Sequence, residues 1–300
     1  MKYRKFGNTG LDISVIGIGT DQFSGSWGKE FSQEEVNKII DRAFELGVNF
    51  LDTAECYGDH LSEAMIGNAI NKKRHEWIIA TKFGHSYKKN NTKASSDFSL
   101  KGITNQFNNS LKALKTDYID IYQFHSGNNS EFDQHEIWDF LNEQVKDDKI
   151  KNLGISVLNS AIDNDDLYQI ESASKVGVKI IQMVYNRLNK NAEKKAIPFC
   201  LEHNLGIIGR VPLARGHLSG KYEPNHKFPE NDKRSLEEKN QTITQLKMVQ
   251  DIKKNEVPDG IEMAQWSLAW CLKNPAITTV IPGCKNIEQI ESNVKATELI

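Results

Sequence analysis

The sequence predicts an α/β chain folded as one (β/α)8 TIM barrel spanning residues 1–300, with an N-terminal β-hairpin and a long loop after the seventh strand. Three observations predict it. Eight short apolar segments recur along the chain, at 15–19, 48–51, 77–81, 118–122, 150–156, 178–183, 205–211 and 277–281, with helix-like stretches between them. Several are continuous apolar runs, the pattern of strands buried on both faces. A length of 300 residues with 38% hydrophobic content is enough for a single core of this kind.

Taken in order, residues 1–14 carry Asn8-Thr9-Gly10, a turn signal between short apolar segments, and read as a hairpin closing the barrel's bottom. Ser32-Gln33-Glu34-Glu35 is a capping box, in which a hydroxyl caps the helix start and a glutamate three residues on answers it. Val36, Ile39, Ile40, Ala43 and Phe44 follow at helical spacing, and Gly47 suits a left-handed stop. A second helix is expected over 62–71. Ile103, Phe107, Leu111 and Leu114 mark the face of a third. Residues 216–240 are charged and carry Gly220, Pro224 and Pro229; a loop of that length in a compact domain is usually a lid or a binding loop. A doubly wound sheet is the runner-up. It lacks a G-x-G-x-x-G turn, since Gly17-Ile18-Gly19 offers only G-x-G and no helix opens directly after it.

Composition narrows the function. The 38 Lys and Arg nearly balance the 40 Asp and Glu, so nothing favours nucleic acid or an anionic membrane surface. No apolar h-region follows Met1 and no apolar stretch approaches a membrane span. Cys56, Cys200, Cys271 and Cys284 form no C-x-x-C pair, which reads as reduced thiols in a cytoplasmic protein with neither disulfide nor metal site.

The chemistry gathers at strand ends. Asp52 ends one apolar run, Tyr57 follows five positions later beside Gly58, Lys82 ends the next strand and His125 a third. Parallel neighbours would bring all four to one rim. A lysine at the end of a buried strand needs a partner, because an unpaired buried ammonium is costly, and Asp52 can supply it. A phenol near pKa ~10 is a weak acid at neutral pH. An adjacent Lys82 ammonium is expected to lower that value. His125 can hydrogen-bond the same substrate oxygen. Such a set protonates or polarises a carbonyl. With no activated Ser or Cys and no H-E-x-x-H, it needs an outside reductant. The run 281–286 leads from the last strand into a helix near Asn286, where barrels commonly bind phosphate, and Lys285 adds charge there. The run 212–221, with its glycines, Ser219 and Lys221, could wrap a pyrophosphate. Trp27, Phe83 and Phe23 are candidates for the pocket mouth.

These residues resemble the aldo-keto reductases over nearly the whole chain. The matching motifs are Gly47 to Ala54 with Tyr57-Gly58, Thr81-Lys82, Ser110-Leu111-Lys112 to His125, Gly154-Ile155-Ser156, Gln182, Pro212-Leu213-Ala214 with Gly220-Lys221-Tyr222, and Ile281-Pro282-Gly283 with Gln289 and Asn293. The pattern is most similar to bacterial members and the potassium-channel β-subunit branch. The resemblance implies Asp52, Tyr57, Lys82 and His125 as a catalytic tetrad and NADP(H), preferred over NAD(H), as cofactor. Ser156 and Gln182 would hold the carboxamide, with Arg210, Pro212, Leu213, Gly216 and Gly283 along the cofactor. Ser219 and Lys221 would meet the phosphates, Lys285 the 2′-phosphate, and Gln289 and Asn293 the adenosine end. The implied substrate is a small aldehyde, ketone or alcohol, sugar-derived ones included. Three departures stand out. Val157 follows Ser156 where many members have Asn, Arg210 replaces a stacking aromatic, and Gly283 stands where many relatives have Lys. Two other readings are an NADP(H)-binding regulatory subunit with vestigial turnover and a cofactor-free barrel that uses Lys82 as a Schiff base.

Overall fold

A computed structural model describes residues 1–86 and 95–300 of the chain. The hairpin forms first: β1 (Tyr3–Lys5) pairs antiparallel with β2 (Asp12–Ser14). The parallel strands are β3 (Ile18–Gly19), β4 (Phe50–Asp52), β5 (Ile78–Phe83), β8 (Ile119–His125), β9 (Ile150–Ser156), β10 (Val178–Val184), β11 (Gly206–Arg210) and β12 (Thr279–Val280). A short ribbon, β6 (His85–Ser86) with β7 (Ser95–Ser96), interrupts their numbering. The eight lie in sequence order across one sheet. Parallel bridges Ile16–Val280 and Gly19–Gly283 join its two edges, so the sheet curls into the expected barrel. Several strands end one to three residues from the expected limits, as short strands do where pairing runs out.

Strand alternation sorts the side chains into two cores. Phe50, Ala80, Ile121, Ile180, Ile208 and Ile281 form the interior cluster, together with Phe6 and Ile13 from the hairpin. Leu51, Ile79, Phe83, Tyr122, Phe124, Ile155 and Ile181 point the other way, into the layer covered by helices. The hairpin does plug the barrel. At Gly206, the first residue of β11, an added Cβ would meet the Phe6 ring at 2.3 Å, and Gly7 takes φ +52 beside the Gly206 backbone.

The helices follow their signals. The Gln33–Glu45 helix opens on a complete Ser32–Glu35 capping box, and Ile287–Lys295 opens with Asn286 accepting from the Gln289 N–H. Residues 216–240 are more structured than a plain loop. They include part of a 3-10 segment, Ala214–Ser219, and a second one, Lys233–Leu236, before the Lys239–Asn255 helix begins.

Candidate active site

The alternation that fills the interior also aims the chemistry. Two residues beyond interior Phe50 comes Asp52, and two beyond Ala80 comes Lys82. Gln123 and His125 follow Ile121 at the same spacing, as do Gln182 after Ile180 and Arg210 after Ile208. All are at the C-terminal ends of their strands. The register pairs Lys82 with Gln123, His125 with Ser156 and Ser156 with Gln182 across neighbouring strands.

Lys82 is fully buried and Asp52 is 2% exposed. Lys82 Nζ donates to Asp52 Oδ1 at 2.7 Å, to the Thr53 carbonyl at 2.7 Å and to the Tyr57 hydroxyl at 3.4 Å. The other Asp52 oxygen accepts from Gln182 Nε2 at 2.7 Å and Gln123 Nε2 at 3.2 Å. Ser156 Oγ in turn donates to Gln182 Oε1 at 3.0 Å. Each member of this network is held by another, the condition under which a buried ion pair is tolerated.

Electrostatics corrects one expectation. Burial drives the Tyr57 phenol well above its ordinary range; Asp21, Asp52 and Cys56 add to the rise, and Arg210 opposes it. The Lys82 ammonium, 3.4 Å away and already paired with Asp52, does not outweigh this burial. Tyr57 is therefore neutral in this state, as an acid must be before it gives up its proton. Burial pushes His125 well below the usual imidazole range, reinforced by Lys82, His85 and Arg210, so it stands as a neutral ring with one N–H.

A cavity of about 850 Å³ opens from this rim. Its walls bring together Asp52, Tyr57, Gln182, Arg210, Pro212, Leu213, Gly216, Ser219, Lys221, Gly283, Lys285, Gln289, Asn293 and Trp27. Lys82 and Ser156 lie behind this wall, and His125 packs beside it against His85, with ring centroids 4.8 Å apart. The Arg210 and Val157 departures touch each other: Arg210 Nη2 donates to the Val157 carbonyl at 3.1 Å. At Gly283 a Cβ would stand 1.7 Å from Gln22 Oε1, so any side chain there would require the Gln22 amide to move.

Phe83 requires a second correction. It is not a pocket residue. Strand alternation turns it away from Lys82 into the helix-facing core, 4.9 Å from the Tyr122 ring. Phe23 is likewise buried, edge-on to Phe31. Trp27 remains at the cavity, its Nε1 donating to Asp21 at 3.0 Å.

Several site residues went unread in the sequence. Gln123 braces Asp52, and its position two before His125 on one strand was the available signal. Arg234 and Lys233 carried none, because their place depends on how residues 216–240 fold back. Lys233 pairs with Asp21, Trp27 bridges Asp232, and Arg234 is clamped by Asp232 at 2.6 and 2.9 Å. Lys285 donates from Nζ to the Trp27 carbonyl and from its backbone N–H to Gln289 Oε1 at 2.8 Å. Burial and the neighbouring Arg234 lower its pKa, while Asp232 works in the opposite direction. Three buried polar atoms along the cavity have no partner: Gln22 Oε1, Arg210 Nε and Asn293 Nδ2. They fit a long polar ligand better than an apolar one.

Residues 15–299 match the model of the aldo/keto reductase family. The chain belongs to that family. It is 31% identical over 298 residues to the "Uncharacterized oxidoreductase YqkF" of Bacillus subtilis, covering 99% of this chain and 91% of that protein. It is 29% identical over 305 residues to "Aldo-keto reductase yakc [NADP(+)]" of Schizosaccharomyces pombe, covering 99% and 86%. Potassium-channel β-subunit-like proteins are similar as well. Among solved structures, the holo form of aldo-keto reductase AKR11C1 from Bacillus halodurans superposes with a TM-score of 0.82 at 27% identity, covering 99% of this chain and 91% of that one. The family places the protein among the oxidoreductases. Among the described residues, no helix is long and apolar enough to cross a membrane.

Proposed function

We propose that this aldo-keto reductase is NADP(H)-dependent and interconverts a small aldehyde or ketone, sugar-derived ones included, with its alcohol. The observation that carries the reading is the hydrogen-bonded Asp52–Lys82–Tyr57 set, which opens into a cavity that also holds Lys285 and Arg234. In this reading Gln182, hydrogen-bonded to Ser156 behind it, meets the carboxamide, Ser219 and Lys221 the phosphates, and Gln289 and Asn293 the adenosine end. All but Ser156 line the cavity, which supports the reading. The preference for NADP(H) rests on Lys285 and Arg234, supported by the NADP(+) in the name of the fission-yeast relative.

When bound, the reduced nicotinamide supplies a hydride to the carbonyl carbon. Tyr57 gives its hydroxyl proton to the carbonyl oxygen, and Lys82 steadies the phenolate that remains through the bond already present at 3.4 Å. Asp52 fixes the direction of Lys82, and Gln123 and Gln182 fix Asp52. Neutral His125 donates its N–H to the same oxygen, where negative charge develops. In oxidation the phenolate takes the alcohol proton back.

The test is a screen of aldehydes, ketoses and aldoses, with alcohols in the reverse direction, followed at the absorbance of the reduced cofactor with NADPH and NADH. Turnover in the ordinary range above ~1 s⁻¹ with some carbonyl, favouring NADPH, is expected. Tight NADPH binding with turnover far below ~1 s⁻¹ throughout would favour the regulatory-subunit reading that the channel-type relatives suggest.

A further inference from the structure

Beside the tetrad lies a second group of donors that shares only His125 with the reaction. Glu55, Cys56 and His125 each place a ligand atom within 4.8 Å of the other two. Cys56 Sγ is 3.9 Å from His125 Nδ1. Glu55 is buried, with Oε1 accepting from the His85 N–H at 2.8 Å and Oε2 left without a partner. Cys56 is also the one cysteine of the four that keeps accessible surface.

We infer that Glu55, Cys56 and His125 form a binding site for a zinc-type divalent cation, and that its occupation inhibits turnover. One thiolate, one imidazole and one carboxylate are a borderline-soft set that suits zinc and discriminates against calcium or magnesium. Zn–S near ~2.3 Å and Zn–N near ~2.0 Å put tetrahedral ligands about 3.5 Å apart, so the trio needs to contract by about 1 Å along its longest edge. The partnerless Glu55 oxygen loses nothing by turning to a metal. On binding, the Cys56 S–H proton leaves for solvent as the Zn–S bond forms. The Glu55 carboxyl, pushed up to about 8 by burial, gives up its proton in the same way. Three protein ligands leave a fourth position for water. A metal-held His125 can no longer turn to a substrate oxygen, and this inhibitory half of the inference rests on the function proposed above. The binding half does not.

The experiment uses the full chain, stripped of metal with a chelator, and Co²⁺ or Zn²⁺ alone as probes. Co²⁺ should produce a thiolate-to-cobalt charge-transfer band in the wild type, none in Cys56→Ser and a weaker one in Glu55→Gln. Calorimetry should show Zn²⁺ binding weakened at least about tenfold in Cys56→Ser, since even outer partners of a metal site are worth that much. Zn²⁺ should suppress wild-type carbonyl reduction over the same concentration range as it binds, and leave Cys56→Ser active. No thiolate band in the wild type, or an equal band in Cys56→Ser, overturns the site. Zinc bound at Cys56 with turnover unchanged overturns the inhibition. Absence of turnover with any substrate counts against the proposed function, while the cobalt band still decides the site.

Discussion

The inner and outer parts of one cavity are built on different principles. At the inner rim a lysine and an aspartate are almost wholly withdrawn from water and bonded to each other, to Thr53, to two glutamines and to Tyr57. At the outer wall Lys285, Lys233 and Arg234 sit on a loop and a 3-10 turn, tied by backbone carbonyls and by Asp21 and Asp232. The inner part is a piece of the barrel's core that happens to be polar. The outer part is a set of cations gathered by connecting segments. Loss of an inner residue should therefore cost the fold as well as the chemistry, whereas loss of an outer one should cost recognition alone.

The largest effect is expected for Lys82→Met. It leaves Asp52 charged and buried with only amide donors, which should cost about 3–5 kcal/mol of stability in denaturant titrations and remove turnover. Stability within about 0.5 kcal/mol of wild type, the range of an ordinary surface change, would mean the inner pair is not integral to the core. Lys285→Ala is the contrasting outer change. Loss of a charge-assisted contact worth about 1.5–3 kcal/mol should raise the KM for NADPH by roughly tenfold or more, move that for NADH little and leave the melting curve almost unchanged. Equal effects on the two cofactors would remove Lys285 from the NADP(H) preference.

A smaller effect is expected from Glu55, on the inner side. Its carboxyl sits at about 8 in the fold, above the unfolded value of 4.5, so the native state holds a proton that the unfolded chain releases between those values. This contribution is fully present below about 4.5 and is lost as pH rises through about 8. Thermal melts of wild type should decline over that window, and Glu55→Gln, which stays neutral, should decline less. His125 acts in the opposite sense. Its folded value is depressed, so its contribution fades as pH falls below about 6.5. Equal slopes for wild type and Glu55→Gln would place the Glu55 carboxyl in water.

How much of this the sequence revealed differs between the two parts. The inner rim was legible because strand periodicity is local: Asp52, Lys82 and His125 sit at the ends of apolar runs, and period-2 alternation then decides which neighbours join them. That rule would also have turned Phe83 away from the pocket and brought Gln123 in. The fall of Tyr57 expected from Lys82 failed for a different reason. Burial outweighs the neighbouring ammonium, and how deeply the phenol is buried is a tertiary fact. On the outer wall, Lys285 and the helix start at Asn286 were readable from a Pro-Gly turn before a capping residue. Arg234 and Lys233 were not, since no local pattern indicates that a charged loop will fold back onto Trp27 and Asp21.

The central claim is that Tyr57 delivers the proton. Tyr57→Phe keeps the ring and removes the one hydroxyl that Lys82 meets in the cavity. The direct measurement pairs NADPH binding, followed by cofactor fluorescence, with single-turnover reduction of the best carbonyl found. Binding within about twofold of wild type with reduction lowered by about 10²–10⁴-fold, the usual worth of a general acid, is the predicted result. Reduction at close to the wild-type rate, with NADPH bound normally, would contradict it.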